Sequence, residues 1–137
     1  MLRSRLVLLL WLLGILFPMA WLGRFSPAYR RTFEAIFAPE WMHWIMHALL
    51  FGGLVALFVI VLRLNLDRKT ALIALALVFG VGFLQEIFQA LSQGSFSLSG
   101  SVFDLGVDLV GGLLGLGVVY VLRTKESKDF PLSGGKY

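Results

Sequence analysis

His43 and His47 stand four residues apart, and so do Asp104 and Asp108. Glu86 and Gln89 stand three apart, with Gln85 beside them. Residues three or four apart share one face of a helix, so each set can act as a unit. Imidazole and carboxylate side chains together support three kinds of chemistry. They can form a hydrogen-bonded network that locks helices in register. They can bind a substrate or a lipid headgroup. Two imidazoles at i, i+4 with carboxylates can also ligate zinc or a similar divalent cation, the single cofactor this sequence suggests. A carboxyl such as Glu86 can serve as a general acid or base, although no nucleophile motif or phosphate loop accompanies it. Two of these residues have plainer readings. Ser101-Val-Phe-Asp104 has the spacing of a helix capping box, and His43 could simply sit at an interface.

The elements that carry these residues are apolar. Hydrophobic residues make up 58% of the 137 residues and charged residues 15%, against about 25% charged in an average soluble domain. A chain this short has too little interior to bury so much apolar surface, so lipid is the expected solvent. Four apolar runs, 6–22, 41–62, 70–91 and 102–122, approach or meet the roughly 20 residues that a membrane helix needs. None alternates with a period of two. The expected fold is an all-α integral membrane four-helix bundle, one domain over 1–122, with a mobile cytoplasmic tail over 123–137. The first run is read as an uncleaved span rather than a signal peptide, because Pro18 stands where a small residue is wanted before a cleavage site. The absence of cysteine excludes disulfides and thiolate chemistry.

Between the first two runs, Ser26-Pro27 is a helix-start signal. Tyr29, Phe33, Ile36 and Phe37 follow at helical spacing. This predicts a short interfacial helix, or else a loop whose aromatics pack on the bundle. Basic residues set the orientation. Arg3, Arg5, Arg63, Arg68, Lys69, Arg123, Lys125, Lys128 and Lys136 fall on one side, and Arg24, Arg30 and Arg31 on the other. Both termini are therefore expected in the cytoplasm of a multi-pass cell-membrane protein. The clusters between apolar runs suit lipid topology and give no reason to expect nucleic acid as a partner.

This topology brings the polar residues to one depth. Glu86 is seventeen residues into the run that starts at Thr70, which is about 24 Å into a core roughly 30 Å thick. The histidines and aspartates occupy the outer turns of their own runs. Gly111 and Gly115 continue the aspartate stripe, and small residues four apart let helices approach closely. Gly82, Glu86, Gln89 and Gln93 form a similar stripe. The two stripes are predicted to face each other, with His43 and His47 nearby.

The order of these residues resembles the VanZ-like family. The resemblance runs through His47, Glu86-Ile-Phe-Gln89 and Asp104-Leu-Gly-Val-Asp108-Leu-Val-Gly111, within the stretch from Trp41 to Leu122. Two departures stand out. The arginine that family often carries between its last two spans is missing, and Asp108 stands where an asparagine is usual. The resemblance implies a four-helix cell-envelope protein, with a possible tie to resistance against teicoplanin-type glycopeptide antibiotics. Three functions follow as expectations. The first is engagement of a lipid-linked molecule or headgroup at the outer leaflet. The second is a small accessory subunit packed against a larger membrane complex. The third is a hydrolase or transferase of an envelope lipid.

Overall fold

A computed structural model of the chain describes residues 2–17, 19–94 and 97–129. Among these residues the chain forms helices and no strands. The helices are α1 (Leu2–Leu16), α2 (Pro27–Phe37), α3 (Glu40–Val61), α4 (Arg68–Gln93) and α5 (Leu98–Asp129), with a 3₁₀ segment at Met19–Arg24. Three of them, α3, α4 and α5, are long and apolar enough to cross a membrane.

The first apolar run departs from expectation. It is not one continuous helix over 6–22, because α1 ends at Leu16 and a 3₁₀ segment follows. The cause lies in the order Phe17-Pro18. The residue before a proline is steered away from helical geometry, and the proline itself offers no N–H. The connection to α3 does form the predicted short helix. The Ser26 hydroxyl caps α2 by accepting from the Tyr29 N–H at 3.2 Å, with Pro27 in the first turn. Its aromatics also pack inward, and the Tyr29 hydroxyl donates to the Met19 carbonyl.

Local chemistry explains the remaining helix ends. α3 closes on Arg63 in the left-handed region at φ 52. The Leu64 N–H returns to the Val59 carbonyl at 3.0 Å, which satisfies a terminal carbonyl of the helix. α4 opens on Asp67, whose carboxylate accepts from the Thr70 N–H at 2.7 Å. That bond holds the Asp67 carboxyl below the usual carboxylate range. α4 closes on Gly94 at φ 69, a backbone conformation that glycine adopts without steric cost. α5 begins at Leu98, where the Ser97 hydroxyl accepts from the Gly100 N–H. It runs past the expected span end at Leu122 to Asp129. Residues 130–137 of the expected tail lie outside the described residues.

The core lies around α3. Phe51, Leu54, Val55 and Val59 recur at helical spacing and are buried against Ala74, Val78 and Val81 of α4, Val119 of α5 and Ile15 of α1. α1 docks through Trp11. Its indole lies on Gly53, and its Nε1–H donates to the Leu50 carbonyl at 2.9 Å. Large apolar side chains also cover the outside, with Leu91 75% exposed. Apolar groups inside and outside alike suit a hydrocarbon surrounding.

α3 and α5 run parallel and in register. His43 lies against Asp104 and His47 against Asp108, each pair 61 residues apart. Further along, a Cβ on Gly111 would meet the backbone of Ala48, and one on Gly115 would meet the backbone of Gly52. At the far end, Ile60 and Arg63 line a cavity together with Val119 and Arg123. An offset that stays at 61 to 63 residues with the same sense of travel requires parallel axes. The glycines at 111 and 115 let the two backbones touch. The expected pairing of stripes is corrected here, because Gly111 and Gly115 face α3 rather than α4. Gly82 of α4 does meet α5, since a Cβ there would lie 2.7 Å from Asp108 Oδ2 and 2.9 Å from Leu105.

Candidate functional site

The polar side chains gather at the end of the bundle where α3 and α5 begin. Asp108 is 1% exposed and His47 3%. With its proton on Nδ1, His47 donates to Asp108 Oδ1 at 2.8 Å. The other carboxylate oxygen, Oδ2, has no hydrogen-bond partner and rests against Gly82. One turn nearer the end, His43 Nε2 lies 3.3 Å from Asp104 Oδ2. The two imidazoles stand 4.4 Å apart between ring centres. They make a two-rung ladder, with histidines on α3 and aspartates on α5.

Asp104 is therefore a mid-helix partner of His43. Its reading as part of a capping box does not fit, because α5 starts four residues earlier than a cap at Ser101 would require and Ser97 fills the capping role. Glu86 is buried on α4, one turn beyond Gly82 on the side that meets α5. Gln89 turns to another neighbour, as does Gln85. The side chain of Gln93 is outside the described residues.

Gln85 and Gln89, with Ser92, line a cavity of about 270 Å³ together with His43 and His47. The opposite wall is apolar, with Ile15, Phe17, Phe33 and Phe37 from α1, the bend after it and α2. The Gln85 side chain is buried and its Oε1 has no partner. The Arg24 guanidinium donates to the Ser92 carbonyl and ties the 3₁₀ segment to the end of α4. His43 also borders a second, more open cavity with Asp104, Trp44, Phe37 and Phe103. His43 thus borders both spaces, and His47 the first alone.

Among the described residues, His43, His47 and Asp104 form the group whose ligand atoms are close enough to hold a metal ion, all within 4.8 Å of one another. Sequence reasoning brought these residues to one level and noted Gln85 beside Glu86 without assigning it to the site, but it missed Ser92 and Trp11 as participants. A signal for Ser92 exists, since Gln85, Gln89 and Ser92 follow i, i+4, i+7. The fold and site together define an all-helical bundle with at least three helices suited to crossing a membrane and a buried histidine–carboxylate ladder at one end. No family model matches the chain, and neither does any curated protein or solved structure.

Proposed function

We propose that this chain is a four-span cell-membrane protein that engages a lipid-linked molecule or lipid headgroup at the outer leaflet. The observation that carries the proposal is the two-faced cavity. One wall offers two imidazoles, two carboxamides and a hydroxyl, and the other offers aromatic and aliphatic groups. Small-molecule sites combine apolar walls with a few convergent polar groups in this way. A volume of about 270 Å³ suits a headgroup with the start of its acyl or polyprenyl chain. The carboxamides of Gln85 and Gln89 on that wall can both donate to and accept from the polar groups of a ligand.

Four crossings are supported by length. α1 covers about 22 Å at 1.5 Å per residue, and the 3₁₀ segment adds about 12 Å at 2.0 Å per residue. Together they match a hydrocarbon core of roughly 30 Å. The excess of basic residues near Arg63, Arg68, Lys69 and Arg123 supports a cytoplasmic placement for that end and for both termini. The VanZ-like resemblance agrees with a cell-envelope setting, and a tie to teicoplanin-type resistance belongs to that resemblance.

The test is native mass spectrometry of protein purified in mild detergent. Wild-type protein is expected to retain lipid. Gln85→Leu with Gln89→Leu is expected to lower the lipid-bound fraction at least about tenfold, the equivalent of one to two hydrogen bonds. Lipid retention unchanged by the double substitution would contradict the proposal. So would a fixed protein partner in place of lipid, the outcome an accessory subunit would give.

A further inference from the structure

We propose that His43, His47 and Asp104 form a binding site for a divalent first-row transition ion of the zinc type, with an open position toward the cavity. The inference deepens the headgroup reading, on which it rests for the ligand of that open position, an anionic oxygen of a headgroup phosphate.

Spacing supports the site first. Histidines at i, i+4 on one helix present two imidazoles to one ion, the arrangement that helical zinc sites use. α5 brings the third donor, and all three ligand atoms lie within 4.8 Å of one another.

The distances separate a ligand pair from a hydrogen-bonded pair. His47 Nδ1 and Asp108 Oδ1 are 2.8 Å apart, the ordinary length of a charge-assisted hydrogen bond, about 2.7–2.9 Å. His43 Nε2 and Asp104 Oδ2 are 3.3 Å apart, long for such a bond. Bonds of about 2.0–2.2 Å at tetrahedral angles put two ligands of one zinc ion roughly 3.4 Å apart. His43 and Asp104 therefore already stand at the separation that a shared ion requires.

The surroundings complete the case. Histidine ligands of metals almost always donate their other ring N–H to a carboxylate or carbonyl, which fixes the tautomer. Asp108 does this for His47 at Nδ1, which leaves Nε2 as the nitrogen free to take an ion. Asp104 and Asp108 as carboxylates balance the two charges of the ion, so the burial of that end carries no net charge from these groups. Two imidazoles and one carboxylate favour a transition ion over magnesium or calcium, which prefer all-oxygen sites. Three protein ligands leave the fourth position free, as in zinc sites that take a water or substrate. His43 and His47 both border the cavity, which is where that position opens.

The test uses tag-free, full-length protein in detergent, titrated with cobalt(II) and read by visible absorption and by metal content after gel filtration. One cobalt per chain with a tetrahedral nitrogen–oxygen spectrum is expected, displaced by zinc. His43 is half-buried, so His43→Ala should keep the fold, checked by helicity. It is expected to weaken cobalt binding at least about a hundredfold, and Asp104→Ala likewise. Glu34→Gln, at an exposed pair with Arg30, is expected to bind as wild type does. Folded protein that retains lipid but binds no stoichiometric cobalt overturns the metal site and leaves the headgroup reading intact. Equal cobalt binding by wild type and His43→Ala overturns it as well. Cobalt bound at the expected site in protein that retains no lipid supports the metal site and counts against the headgroup.

Discussion

Gly115→Leu is expected to separate α3 from α5 and cost about 3 kcal/mol or more, the upper part of the range for overpacking. A Cβ at position 115 falls on the Gly52 carbonyl, and a Cβ at 111 falls on Ala48 in the same manner. Those neighbours are backbone, which cannot rotate aside as a side chain can. The helices must move apart, and the polar pairs two turns away lose their register with them. Gly117→Leu on the same helix supplies the comparison, because nothing lies within 4 Å of a Cβ there. It should be within about 0.5 kcal/mol of wild type, or slightly more stable through helix propensity. Reversible unfolding in detergent, followed by helicity, measures both. Equal stabilities for the two variants would show that the α3–α5 contact lies elsewhere on α5.

His47→Leu is expected to cost about 3–5 kcal/mol, the usual consequence of removing one partner from a buried ionisable pair. Asp108 Oδ2 already lacks a partner, and Oδ1 depends on His47. Once the imidazole is gone, a carboxyl group that is 1% exposed has no hydrogen bond left. Leucine fills similar space, so the loss reports the orphaned carboxyl rather than a cavity. His43→Leu, at a half-buried position with a longer contact, should cost under about 1 kcal/mol. A His47→Leu protein as stable as wild type would mean that Asp108 finds another donor.

Much of this arrangement was legible in the sequence. The runs that became α3, α4 and α5 are long, apolar and bounded by polar residues, so only their ends were in question. Depth arithmetic placed His47, Glu86 and Asp108 at one level because helical rise is nearly constant. What failed were choices that periodicity cannot make. The Gly111–Gly115 stripe says that some backbone approaches closely, but not whose. Ala48 and Gly52 carry the same four-residue spacing on α3 and took the contact, leaving α4 to meet α5 at Gly82. The 3₁₀ turn after Leu16 depends on a single proline within an otherwise apolar run. The capping box at Ser101 failed because Ser97 offers the same chemistry four residues earlier. Trp11 on Gly53 leaves no periodic trace, since it joins one aromatic to one glycine across 42 residues of sequence.

The histidine–aspartate ladder between α3 and α5 is the feature from which the cavity, the headgroup reading and the metal site all derive. A double-mutant cycle on His47→Leu and Asp108→Leu tests it most directly, with stability as the readout. Replacing both members of a buried pair by apolar groups is often neutral or stabilising, so the double variant should regain at least about 2 kcal/mol over the sum of the singles. Additivity within about 0.5 kcal/mol would mean that the two side chains do not meet, and the site as described here would not exist.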